Sequence, residues 1–307
     1  MQDVEGKVAV VTGGSSGIGR GIALAFARAG MTVVVTGRRP EHLEETVEVF
    51  AQHGLDVHTR RVDVTDLEAM TALADEVEAT FGKVHVLVNN AGIGLTGPVA
   101  DATPDDWRWI VDVNIHGVGN GIMAFLPKLR AHGEGGHIVT TTSMAGLMPV
   151  VAGLYSMTKA GVIALSEALH IELAAEGIGV SAYCPGPVHS NIAAGVAARP
   201  SEYGESGYTP PPAEFLEVAK QQPYMSAEEA GERVLAGVRR GDLFILTHPE
   251  FLAGLQDRHA TIEAAFPDEP INEERKAVIP FLLSSPVYAP ENRLPSPTPP
   301  VMSELST

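Results

Sequence analysis

The chain has a single cysteine, Cys184. No disulfide can form within it, and a reducing compartment is its natural home. Its setting, V-S-A-Y-C-P-G, predicts a buried strand end rather than a nucleophile. Positive charge is also scarce: 21 Lys and Arg face 38 Asp and Glu, a formal charge of -17. Nucleic-acid binding rests on neutralising phosphates with Lys and Arg, so this balance argues against such a partner. Long apolar runs are missing, and none approaches the roughly 18 residues of a membrane span. The opening residues, M-Q-D-V-E-G-K, lack the basic region and apolar core of a signal peptide. The expected location is the cytoplasm, with no membrane partner. The 11 histidines are scattered without His-Glu-x-x-His or similar spacing, which predicts no metal site.

What is present is a regular alternation. Short β-branched runs at 7–12, 32–36, 56–62, 84–88, 137–142, 179–183 and 243–246 alternate with helical patterns such as 41–53, 67–81 and 156–176. Strand after strand, each followed by a helix, predicts an α/β fold: a Rossmann-like, doubly wound parallel sheet with right-handed crossovers. Residues 1–248 make this domain. Within it, residues 187 to about 225, rich in Pro, Gly, Tyr and Ser, are too long for a plain connection and read as a mobile substrate lid. Two further helical patterns form an extension over 249–285. The Pro-rich tail 286–307 reads as extended or disordered.

The first strand runs into T-G-G-S-S-G-I-G, residues 12–19, and then a helical pattern. Glycines here let the backbone turn tightly and approach a pyrophosphate, and the helix N-terminus beyond offers unpaired N–H groups. Gly13, Ser15, Ser16, Gly17, Ile18 and Gly19 are therefore expected at a dinucleotide. The second strand ends in Gly37-Arg38-Arg39 with no acidic residue. An acid there bonds the ribose hydroxyls of NAD, whereas Arg accommodates the 2′-phosphate of NADP. Arg38, assisted by Arg39, predicts NADP(H) as the preferred cofactor, with NAD(H) possible. Asp63, followed by Val64, either accepts from the adenine amino group or starts the turn that caps the next helix at Thr65 or Asp66. Asn90, Ala91 and Gly92 at the end of the fourth strand suit a wall for a cofactor ring. Thr103 and Pro104 read as N-cap and first turn of the helix that carries Asn114.

Tyr155 and Lys159 stand four residues apart at the start of a helical pattern, so phenol and ammonium share one face. A free phenol titrates near 10, too high for acid–base work at neutral pH. An ammonium about 4 to 5 Å away at an effective dielectric near 20 is worth roughly 3 to 4 kcal/mol, enough to lower the phenol by two or three units before desolvation. Ser143 follows the strand 137–142, at the sheet edge where open α/β folds bind ligands.

Together, T-G-G-S-S-G-I-G, N-N-A-G, Asn114, Ser143, Tyr155 with Lys159, and P-G-P-V-H-S resemble the short-chain dehydrogenase/reductase family, in its group with chains of about 250 residues. The resemblance covers residues 6 to about 248 and implies an NAD(P)-dependent alcohol dehydrogenase or ketone reductase with a seven-stranded parallel sheet. By it, Tyr155 gives the proton to the carbonyl oxygen. Lys159 lowers the Tyr155 pKa and holds the nicotinamide ribose, and Ser143 bonds the substrate oxygen. Asn114 distorts its helix and holds a water that links Lys159 to solvent. Pro185, Gly186, Val188 and Ser190 join the cofactor-binding set, Ser190 replacing the usual Thr.

Three departures from the family pattern bear on these roles. Ser143 lies twelve residues before Tyr155 where the family most often has thirteen, which leaves Thr142 as an alternative. Ser16 stands where many NADP enzymes of the family carry a basic residue. The region from N-I-A-A-G to L-F-I-L-T-H-P-E resembles a bacterial branch that oxidises benzylic alcohols of lignin-type aryl ethers with NAD. With the apolar set Leu95, Met144, Leu147, Met148, Val151, Leu154 and Val188, it points to a lipophilic or aromatic carbonyl or alcohol substrate. The family also implies a homodimer or homotetramer through the helices around Asn114 and Tyr155. Alternatives are an epimerase or dehydratase on the same fold, and a catalytically silent NAD(P)-binding redox sensor.

Overall fold

Seven short runs, all but the polar edge strand β3 largely apolar, become the strands β1 (Val8–Val11), β2 (Thr32–Gly37), β3 (His58–Arg61), β4 (Val86–Asn89), β5 (Gly136–Thr141), β6 (Ile178–Cys184) and β7 (Phe244–Leu246). The structure is a computed structural model and describes residues 1–149 and 152–289. The strands form one parallel sheet in the order β3-β2-β1-β4-β5-β6-β7. The order reverses between β1 and β4, and the crevice at the carboxyl ends of these two strands is where such sheets take ligands.

Every residue of β1, β4 and β5 is buried, as strands covered on both faces require. Helices α1 (Gly17–Arg28) and α2 (Pro40–Gln52) lie on one face. There Ile22, Phe26, Leu43 and Phe50 pack on Val11, Val33 and Val35. Helix α3 (Leu67–Phe81) lies on the other face and starts at Asp66, whose carboxylate accepts from the Ala69 N–H.

The helix begun at Thr103 comes in three parts: α4 (Pro104–Val111), a π turn over Asp112–His116, and α5 (Gly117–Ala131). Thr103 and Asp106 cap it reciprocally, as the Thr-Pro signal predicts. Ser143 caps a single short turn, α6 (Met144–Leu147), ahead of α7 (Gly153–Ala174). Trp109, Phe125, Leu169 and Leu173 of this layer pack on Val10, Leu87 and Ile138.

The segment between β6 and the last helix of the domain differs from the loose lid its composition predicts. It contains three short 3-10 turns and then α8 (Ala213–Lys220). Its inner half is anchored: Tyr203 and Tyr208 are buried in the core, and Arg199 forms an ion pair with the fully buried Asp106. Open apolar surface remains at Ile192 near its start and at Phe215 and Val218 of α8. Helix α9 (Ala227–Arg240) then covers the α1 face, and the extension supplies α10 (Leu252–Ala264) and α11 (Glu273–Val278). Residues 286–288 make one more turn, and the remainder of the Pro-rich tail lies outside the described residues. Among the described residues, no helix is long and apolar enough to cross a membrane.

Candidate active site

At the β1 end the chain turns at Gly13 and Gly17, both with positive φ, 63° and 51°. The loop fits so tightly against its neighbours that side chains have no room. A Cβ at Gly13 would lie 2.8 Å from Ala91 Cα, and one at Gly19 would lie 2.3 Å from Asn90 Nδ2. Asn90 straps the loop down by donating to Thr12 O (3.1 Å) and Gly13 O (3.2 Å) while accepting from Thr141 Oγ1 (3.1 Å). Ser16, the N-cap of α1, makes no side-chain capping bond, so the first N–H groups of the helix stay open beside the loop. Gly17 faces Ser190, which brings the P-G-P-V-H-S segment to the same place. A glycine cradle with an uncapped helix start fits the pyrophosphate of a dinucleotide.

Around that cradle Ser15 is buried with its carbonyl accepting from Thr46 Oγ1 (3.0 Å), and Ile18 packs on the α1 core. Arg38 stands beside Asp63, Nη1 to Oδ2 3.6 Å, with about a third of each side chain exposed. The guanidinium expected to clamp a 2′-phosphate thus also faces a carboxylate. Arg39 is exposed at the N-cap of α2. Asp63 accepts from both Thr65 N (3.0 Å) and Thr65 Oγ1 (2.9 Å), so the turn reading holds for one carboxylate oxygen. Val64 is buried, and its carbonyl is fixed by Asn120 Nδ2 (2.8 Å).

The residues expected to do acid–base work come together at the ends of β4 and β5. Lys159 is buried and donates to Thr141 O (2.9 Å), its Nζ lying 5.6 Å from the centre of the Tyr155 ring. A Cβ at Gly92 would come 3.4 Å from Lys159 Nζ and 3.3 Å from Asn114 Oδ1. Asn114 is fully buried. Its Oδ1 accepts from Ile93 N (2.9 Å), and its Nδ2 donates to Ile93 O (3.0 Å) and Thr158 Oγ1 (3.1 Å). Its side chain is therefore occupied, and the π turn around it is the distortion the resemblance implies. A π turn displaces carbonyls from the regular i+4 ladder, so the main chain is what this turn can offer to water.

Burial sets the electrostatics, and here the expectation of a depressed phenol is corrected. Burial pushes the Tyr155 phenol up, and its hydrogen bond with Ser143 offsets only part of that. Burial also pulls Lys159 down to about 8, against a small opposing effect of Cys184. Sequence spacing gives proximity but not desolvation, and desolvation wins. The Thr142 alternative is removed by geometry: its buried hydroxyl donates to Tyr183 O (2.8 Å) and approaches Cys184 Sγ (2.9 Å). Ser143 Oγ faces Tyr155 and accepts from Ala145 N (3.1 Å). Cys184 is buried with its thiol pushed up to about 12, as a strand-end residue.

Several residues of the site were not anticipated. Thr12 donates to Val88 O and accepts from the N–H groups of Asn90 and Ala91, stitching the cradle to β4. His248 clamps the Gly186–Pro187 peptide: Nδ1 accepts from Gly186 N (3.1 Å), which leaves Nε2 to donate to Pro187 O (3.1 Å). Phe251 closes on the same glycine. Pro185 O accepts from Met144 N (2.9 Å), and Val188 is buried, bridged to Met225. The signal for His248 is its place just past β7, at the ligand edge of the sheet. The apolar set divides. Leu95 and Leu154 are core residues, Met144 and Val188 are buried, Leu147 and Met148 are half-buried, and Val151 lies outside the described residues.

The scattered histidines also include one cluster, at the opposite end of the sheet. His85, His132 and Glu134 place potential ligand atoms within 4.8 Å of one another. These atoms are mostly engaged. His85 Nδ1 accepts from Val8 N, His132 bonds Val84 O and Glu134 N, and Glu134 pairs with Lys7 and Lys83.

Comparison with known proteins agrees with this geometry. A family model described as short chain dehydrogenase matches residues 7–200. A C alpha-dehydrogenase of Sphingobium sp. is 39% identical over 273 residues, 88% of this chain and 90% of the relative. Among solved structures, a short chain dehydrogenase/reductase from Burkholderia phymatum in complex with NAD superposes with a TM-score of 0.79 at 34% identity. It covers 89% of this chain and 100% of that one. The apo form of LigO from Sphingobium sp. gives 0.75 at 37%, covering 91% and 96%. The chain belongs to the short chain dehydrogenase family, a family of oxidoreductases.

Proposed function

We propose that the protein interconverts a secondary alcohol and a ketone, with NADP(H) as the preferred cofactor and NAD(H) as a possible one. The observation that carries this reading is the convergence of Ser143, Tyr155, Lys159 and Asn114 beside the glycine cradle. The cofactor supplies or removes the hydride when bound. Gly13 and Ser15 to Gly19 would hold its phosphates, Asp63 and Val64 its adenine end, and Asn90 to Gly92 with Pro185, Gly186, Val188 and Ser190 its nicotinamide end.

The residues divide the remaining work. Tyr155 Oη gives its proton to the carbonyl oxygen in reduction and takes it back in oxidation, while the Ser143 hydroxyl donates to the same oxygen. With its pKa raised, Tyr155 is a phenol at pH 7, the form that reduction needs. Lys159, at about 8, still carries its charge there and stabilises the phenolate as it forms. The π turn at Asn114 offers main-chain carbonyls to a water that returns protons to Lys159.

The half-buried Leu147 and Met148, with exposed Ile192 packed against Gly94, make the accessible wall apolar. A lipophilic or aromatic ketone fits it, and the Sphingobium C alpha-dehydrogenase likeness supports the same class. Purified protein should oxidise NADPH when an aryl ketone panel is added. Absence of turnover with NADPH and NADH in both directions would reject the substrate class.

Arg38 supports the NADP preference, since β2 ends in Gly37 with no carboxylate and a Cβ there would lie 2.4 Å from Ser15 Oγ. Arg38→Asp should weaken NADPH binding about tenfold or more and leave NADH within about threefold. Titration of both cofactors checks this, and equal losses would remove the clamp.

The protein is also expected to be a homodimer or homotetramer. The outward face of α7 exposes Met157, Leu165 and Ile171, and α5 exposes Met123. Helix faces of this kind are buried in subunit contacts. Light scattering that returns the monomer mass at all concentrations would contradict this.

A further inference from the structure

The extension beyond β7 is folded but uncovered. Every residue from 256 to 280 is exposed, and α10 and α11 contain no buried residue. Helices this short do not stand alone in water, where most helical stability comes from packing one face. Several of the exposed side chains are nonetheless large and apolar: Phe266 is 75% exposed, Val278 72%, Leu282 69%, Ile271 68%, Leu252 58% and Ile262 48%.

Both ends of this segment are fixed to the body. At its root Phe251 packs on Gly186, and Gly254 meets Met148. At its far end the Tyr288 hydroxyl donates to Glu167 Oε1 on α7 (2.6 Å). The result is an arch that leaves at the cofactor-side loop, stands off the domain and lands on the outward helix.

We propose that residues 252–283 form an arm whose exposed apolar side chains pack against a second copy of this chain. The inference rests on the homo-oligomer reading above but names a different surface. Area supports this occupant. The apolar surface on the six side chains amounts to on the order of 600 Å² per chain, so two symmetric arms approach the roughly 1,200 to 2,000 Å² of a stable interface. Continuity supports it as well, because the arm lands on the helix whose exposed Leu165 and Ile171 are the proposed subunit face. Charge disfavours an anionic surface. Asp257, Glu263, Asp268, Glu269, Glu273 and Glu274 outnumber Arg258, Arg275 and Lys276 along the arm.

Amide hydrogen exchange on the full chain, run over a dilution series beside light scattering, tests the arm directly. Amides of 252–264 should exchange about tenfold or more slowly at high concentration, and protection and mass should fall together on dilution. Free exchange of 252–264 in an intact oligomer would overturn the arm and leave the α7 interface standing. Protection in a protein that stays monomeric would overturn it too, assigning the cover to the chain's own tail. So would protection gained only with phosphatidylcholine vesicles.

A triple variant, Phe266→Ser, Ile271→Ser and Leu282→Ser, alters only exposed positions and should weaken self-association about tenfold or more with cofactor binding unchanged. An unchanged mass at every concentration would overturn the arm. Leu165→Arg is the separate control for the α7 face. Dissociation by this substitution but not by the triple variant locates the interface on α7 alone and also overturns the arm.

Discussion

Replacing Tyr155 by Phe is expected to lower ketone turnover about a hundred- to ten-thousandfold, the range that a positioned general acid supplies. Cofactor affinity should be unchanged. The phenol ring packs against the core cluster and Lys159 bonds Thr141 O, so both stay in place when only the hydroxyl is removed. The pH dependence separates this role from a structural one. Reduction needs the phenol protonated and Lys159 charged, so it should fall as pH rises through about 8, where Lys159 loses its proton. Oxidation needs the phenolate, which the raised Tyr155 pKa withholds near pH 8, so it should gain only toward the alkaline end of the series. Steady-state rates in both directions from pH 6 to 10 check this, and residual activity near wild type in Tyr155→Phe would sink the role.

Lys159 carries a second consequence, for stability. Burial lowers its pKa from 10.5 to about 8, so the folded state disfavours the charged form by about 3 kcal/mol. The sign follows from linkage. Below about 8 the ammonium is charged in both states and the penalty is complete. Between 8 and 10.5 the unfolded chain holds a proton that the folded one has released, and stability rises with pH. Lys159→Met should therefore abolish turnover yet stabilise the protein at pH 7. About 1 to 2 kcal/mol should remain after the Thr141 carbonyl loses its donor. That gain should vanish near pH 10. Urea melts at the two pH values decide it, and a variant less stable than wild type at pH 7 would mean that Lys159 holds the site together instead.

How much of this was legible in the sequence depends on range. The β-branched runs, the Thr103-Pro104 start of α4 and the glycine loop after β1 are local, and each lies within a residue or two of where its pattern puts it. The π turn is invisible to periodicity. Buried positions 109, 110, 113, 114, 117 and 118 keep helical spacing straight through it. Desolvation of Tyr155 and Lys159 could not be read either, because burial is made by segments far away in the chain. The segment 187–225 shows the same limit. Its composition says nothing of its anchoring, which depends on an ion pair between Asp106 and Arg199, 93 residues apart.

That pair makes Arg199→Met a further large effect, an expected loss of about 3 kcal/mol. Arg199 is 6% exposed and Asp106 fully buried, so removing the guanidinium strands a carboxylate in the core. Asp106 keeps its bonds from Ser206 Oγ (2.7 Å), Gly207 N (2.9 Å) and Thr103 N (2.9 Å), which hold the loss at the lower end of the range for broken buried pairs. Adding Asp106→Asn should recover part of it by removing the charge. Burial alone would raise the Asp106 pKa, but the bonds from Ser206, Thr103, Gly207 and Arg199 outweigh it and bring it to about 2. Its stabilisation is therefore present above about pH 4 and lost toward pH 2, and the gap between wild type and Arg199→Met should close over that interval.

The same substitution should raise the ketone KM while leaving cofactor affinity alone. Arg199 also donates to Tyr203 O (2.7 Å), and the Tyr203 hydroxyl reaches Asp112 Oδ2 (3.1 Å) at the start of the π turn. Loosening the pair therefore frees the inner half of the 187–225 segment from α4 without touching the glycine cradle. Denaturant melts and separate titrations of ketone and cofactor test both parts, and a variant with wild-type stability and KM would show the anchor to be idle.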